Sequence, residues 1–185
     1  MSKFFNKNNA NLLGLFAFIA TGGGLIVSTA INGENFYKTE ILIILGAFFT
    51  ISLADHYRKI KAVDNTTIFN KRSLYILACS VIGVTVTWFI NHKMGYGAVI
   101  ANGLVGVMAA TFLPNDLAGI TYTSSFVGMS SLSVIPNLMS GALAGVIAAA
   151  VLITTAQIYA GIGGKGGTTA ALSTIITRNI IRFFN

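Results

Sequence analysis

The sequence predicts an all-α integral membrane protein, a helical bundle of five or six transmembrane helices. Three observations carry that expectation. The 185 residues are 54% hydrophobic and only 9% charged, whereas a soluble domain typically carries about 25% charged residues. Apolar stretches close to spanning length recur along the chain, and a spanning helix needs about 20 such residues. The Lys and Arg residues flank those stretches, as membrane topology requires. The length fits a single transmembrane domain, 1–185.

The first span is 10–31, ANLLGLFAFIATGGGLIVSTAI. Its basic start resembles a signal peptide, but the apolar run continues without a small-x-small cleavage site, so it reads as uncleaved. The second and third spans are 38–55 and 73–91, and the fourth is 95–113. Residues 114–136 are Ser/Thr-rich, mildly apolar and bracketed by Pro114 and Pro136. They read as a re-entrant or interfacial segment, with Asp116 as N-cap. A further span, 137–160, follows. The last stretch, 167–184, carries Arg178 and Arg182, which either snorkel from a spanning helix or mark one lying in the interface.

Orientation follows from the basic residues. With six crossings and a cytoplasmic N-terminus, nine Lys/Arg lie inside and three (Lys38, Lys93 and Lys165) outside. A crossing by 114–136 changes the count to eight against four. The chain is therefore expected to be a multi-pass protein of the cell's cytoplasmic membrane, with the lipid bilayer as its first partner. The basic loop 56–72 is a topology anchor beside anionic lipid, or a docking surface for a cytoplasmic partner. Nucleic acid is not expected, because no basic patch is interleaved with aromatics.

The second half contains a weak internal match. GVMAAT at 106–111 resembles GVIAAA at 145–150, and SSLSVI at 130–135 resembles AALSTI at 170–175. If real, 95–136 and 137–185 form an inverted repeat, an arrangement that recurs in transporters.

Small residues point to helix packing. Gly141 and Gly145 lie four apart, as do Gly106 and Ala110, and such spacing lets membrane helices approach closely. The spans 95–113 and 137–160 are thus expected to be close neighbours, or to form the interface of a homo-oligomer or membrane complex. Asn102 and Gln157 lie within spans and must face protein or water.

Two helix breaks supply the other polar candidates. One offers Ser124, Ser125, Gly128 and Ser130, and the second offers Gly163, Gly164, Lys165 and Thr168. The second fails the nucleotide-cradle test, since Gly166 follows Lys165 where Ser or Thr is required. It remains a run of backbone N–H groups before a helix, with Thr168 or Thr169 as cap. With Asn102 and Gln157, these residues are the candidate lining of a pathway.

No catalytic constellation, metal-ligand set or cofactor motif is present in the sequence, so an enzyme is not expected. The leading expectation is a small channel or permease for an ion or a small anionic or neutral solute, with Lys165 making an outer vestibule positive. The alternative is a non-transporting anchor or scaffold subunit that docks a partner through 56–72.

Overall fold

The computed structural model describes residues 71–156 and 164–184, together with single helical positions between 16 and 44. Span 10–31 lies mostly, and span 38–55 almost wholly, outside the described residues, and Asp55, His56, Gln157 and Gly163 lie outside them. The chain divides into two compact units, Met1–Thr66 with Thr155–Ala160, and Thr67–Thr154 with Gly161–Asn185. The second unit is described below.

Its elements are all helical. They are α1 (Lys71–His92), α2 (Ala98–Phe112), α3 (Asn115–Gly128), α4 (Leu138–Thr155) and α5 (Lys165–Phe184). Among the described residues, only α1 and α4 are both long and apolar enough to cross a membrane, which suggests a membrane location. A rise of 1.5 Å per residue makes α1 about 33 Å long, against a hydrocarbon core of about 30 Å.

Backbone chemistry sets the ends. Gly95 and Gly97 have φ of 75° and 86°, a region that glycine enters without steric cost, and they separate α1 from α2. Leu113 is extended at φ −112°, ψ 152°, as a residue before proline must be. Pro114 then opens α3 with its φ already near −55°. Asp116 is not the cap; it lies in the first turn of α3, where its charge opposes the helix dipole favourably. Asn137 caps α4, its Oδ1 accepting from Ser140 N–H at 2.8 Å.

Contacts along α1 fix the direction of α3. Arg72, at the start of α1, donates to Asp116, at the start of α3, at 2.9 Å. Gly83 meets Thr121, and Gly128 meets Val84 and Thr87. At the far end His92 Nε2 bonds the Ser130 carbonyl at 2.9 Å. The two helices are therefore parallel. Helix α3 contacts α1, α2 and α5, so much of its surface meets protein. Helix α4 is antiparallel to α1, with Gly145 beside Val81 and Gly141 beside Trp88.

The Arg72–Asp116 pair is open to solvent, its side chains 62% and 50% exposed, and exposed ion pairs contribute little. Arg72→Ala is expected to lower stability by less than about 1 kcal/mol in a detergent unfolding titration.

Hydroxyl side chains are well represented in the interior: among the described residues, seven of the ten largest fully buried side chains are Ser or Thr. Tyr75, Ile82, Val86 and Phe89 share one exposed face of α1, and Val99, Val107, Phe112 and Met139 stand more than two-thirds exposed on α2 and α4. Large exposed apolar patches mark contact with something other than water.

A candidate polar interior

Helix α3 organises the polar groups because successive residues point about 100° apart. Thr123 lies beside Gly166 of α5. Ser125 bonds the Asn102 side chain of α2. Ser124 lies between them, on the face that Thr121 and Gly128 turn to α1. Three adjacent hydroxyl residues thus address three helices.

The α1–α3 contact is a seam of small residues. Ser80, Gly83 and Thr87 in α1, and Thr121, Ser124 and Gly128 in α3, each repeat at i, i+3, i+7, and all six are buried. That spacing returns to one helical face. A Cβ on Gly83 would lie 2.6 Å from the Thr121 carbonyl oxygen. One on Gly128 would lie 2.5 Å from the Val84 carbonyl oxygen and 2.8 Å from Thr87 Cβ. Backbone contact this close requires glycine.

Hydrogen bonding divides the buried hydroxyls into two sets. Thr121, Ser173 and Thr177 each donate to the carbonyl four residues earlier, at 2.7–2.9 Å. Ser80, Thr87 and Ser124 have buried oxygens with no partner. An unpaired buried hydroxyl costs about 1–3 kcal/mol, so these three are positions where a water or solute hydroxyl would be favourable. Ser125 also contacts the Tyr122 carbonyl at 2.7 Å; with one proton it serves one acceptor at a time.

At the C-terminal end of α1 the chain is clamped by Trp88, whose Nε1 donates to the Ile135 carbonyl at 2.9 Å. Its ring centroid lies 5.3 Å from that of His92. Ser130 belongs to this end of the unit.

The second break is helical over most of its described length. α5 begins at Lys165, two residues before the expected start. Gly164 has φ 76°, and the N–H and hydroxyl of Thr168 both return to its carbonyl, at 3.1 and 3.3 Å. Thr168 is therefore not a cap. Lys165 is exposed.

The structure brings Asn102 and Ser125 together and places Ser124 and Gly128 in the α1–α3 seam. Gly106 meets the Tyr122 ring, and Gly145 meets Val81; Gly141 is buried and Ala110 exposed. The sequence pairs α2 with α4, whereas these two glycines face α3 and α1. Residues 130–135 form the turn after α3, and 170–175 are mid-helix, so that pair of matching motifs has different backbone conformations. Sequence reasoning missed Ser80, Gly83 and Thr87, although their i, i+3, i+7 spacing is legible in the sequence.

No Asp, Glu, Lys, Arg or His is buried among the described residues, and none of their His, Cys, Asp and Glu residues form a group able to hold a metal ion. The polar chemistry of this interior is that of neutral hydroxyls and one amide. No protein-family model, curated protein or solved structure matches the chain.

Proposed function

We propose that the protein is a multi-pass channel or permease of the cytoplasmic membrane, for a small neutral or anionic solute. One observation carries the reading: an apolar exterior surrounds buried hydroxyls, three of which lack partners. Hydroxyl and amide groups replace the water around a passing solute without binding it too tightly to leave. The parallel course of α1 and α3 favours the arrangement with eight basic residues inside and four outside, which keeps the N-terminus cytoplasmic and moves Lys165 from an outer to an inner vestibule. Assembly as a homo-oligomer or in a membrane complex belongs to the same proposal.

Flux from proteoliposomes tests it, with a panel of small neutral and anionic solutes. Passage above empty vesicles is the expected result, and leakage equal to empty vesicles across the panel sinks the proposal. Lys165→Glu is expected to shift ion preference toward cations, read from reversal potentials; unchanged selectivity in a conducting protein would remove Lys165 from the vestibule.

A second reading, a packed scaffold that docks a partner through 56–72, is favoured by the backbone contacts at Gly83, Gly128 and Gly145. Such contacts leave no gap between α1 and its neighbours at those positions.

A further inference from the structure

Ser80, Thr87 and Ser124 are each fully buried, and none of their hydroxyl oxygens has a partner. They follow one line along the α1–α3 seam. Gly83 meets Thr121 and Gly128 meets Thr87, so Ser124 lies between those two contacts, with Ser80 about one turn of α1 before the first. At about 1.5 Å per residue the line from Ser80 to Thr87 rises about 10 Å, roughly a third of the hydrocarbon core. Thr85, on the same helix, donates to the Val81 carbonyl at 2.7 Å, as a threonine within a helix commonly does. Thr87 makes no such bond, so its hydroxyl is left for a group from outside the helix.

This line carries no charge. Among the described residues no Lys, Arg, His, Asp or Glu is buried. Both helices are continuous past the three positions, so the carbonyls there are held by N–H groups one turn on and give a cation no free row of oxygens. An ion shedding its water here would meet no opposite charge, at a cost far above that of a neutral group. A hydroxyl both donates and accepts, so a solute hydroxyl can pair with each of the three in either sense. Backbone contact at Gly83 and Gly128 narrows the seam on both sides of Ser124, which restricts the solute to a small one.

We infer that Ser80, Ser124 and Thr87 bind small neutral solutes bearing hydroxyl groups, water and short polyols, in preference to ions. The inference rests on the transport reading and selects one of its two solute classes.

The test follows the volume of proteoliposomes holding the full chain by stopped-flow light scattering, with water, glycerol and sorbitol as probes. Chloride entry is read in parallel with an enclosed chloride-sensitive dye. Water and glycerol are expected to pass faster than in empty vesicles, with sorbitol excluded and glycerol faster than chloride. Water entry without glycerol upholds the hydroxyl chemistry and narrows the solute to water. Thr87→Val and Ser124→Ala should each lower the permeability to whichever of the two passes by about fivefold, the size of one lost hydrogen bond. Thr85→Val should leave it unchanged, because that hydroxyl is already satisfied within α1. Neither Thr87→Val nor Ser124→Ala should lower the melting temperature in detergent, since neither hydroxyl is bonded to protein. Chloride entry with neither water nor glycerol overturns the inference and leaves the transport reading standing, as does unaltered permeability in both variants. Entry of no probe at all overturns the transport reading, and this inference with it.

Discussion

Gly128→Ala is expected to destabilise the protein by about 2–3 kcal/mol, at the upper end of what an added methyl costs in a packed interior. The new Cβ would meet the Val84 carbonyl at 2.5 Å and Trp88 N at 3.1 Å. Both are backbone atoms of α1, so relief requires the two helices to separate along the seam. Gly145→Ala should behave similarly, since Val81 Cα and N would lie 2.6 and 3.1 Å away. Gly106→Ala should cost less: its obstacle is the Tyr122 ring at 2.7 Å, a side chain that can turn aside. Gly103 and Gly119 have nothing within 4 Å. Alanine there should stabilise by up to about 1 kcal/mol through helix propensity. Unfolding of the five variants in a denaturing detergent series reads the ranking, and a Gly128→Ala protein as stable as Gly103→Ala contradicts the seam.

Trp88→Ala is expected to cost about 3 kcal/mol or more. The side chain is 3% exposed and packs in one cluster with Val84, Val127, Ile135, Ala144, Ala148 and Ala170, so its removal opens a cavity among four helices and the turn after α3. Its indole N–H is also the donor that ties α1 to the Ile135 carbonyl. Trp88→Phe separates the two effects. It retains most of the ring volume and leaves one carbonyl unpaired, for an expected loss of about 1–2 kcal/mol. Thermal unfolding of both variants in detergent checks the ratio; equal losses would mean that packing contributes nothing beyond the hydrogen bond.

Hydropathy located the described long helices to within a few residues. The expected span 73–91 is α1 (Lys71–His92), and 95–113 contains α2 (Ala98–Phe112). These segments have exposed apolar faces, so average hydropathy reports them directly. It does not reveal the surroundings of α3, because an average records what a helix is made of and not what it faces. Thr121, Ser124 and Ser125 lower the mean hydropathy of α3, and all three are buried against protein. Glycine spacing marked Gly106 and Gly145 as points of close approach, but not their partners: a small residue says that something comes near, and Tyr122 and Val81 are set by tertiary packing. Among the polar candidates, Asn102 and Ser125 lie 23 residues apart in sequence, and only the parallel course of α1 and α3, with α2 between them in the chain, brings them together.

The central claim is that the hydroxyl-rich interior is reached by water. Ser124→Cys, made in a Cys79→Ser background, tests it most directly, because Ser124 is fully buried with an unpartnered oxygen. A small, membrane-impermeant thiol reagent is added to intact proteoliposomes, with Ser130→Cys, in the turn after α3, as the accessible reference. The transport reading predicts modification at position 124, slower than at position 130, with loss of flux in step with labelling. Complete protection at position 124 while position 130 reacts would contradict it and leave the packed scaffold.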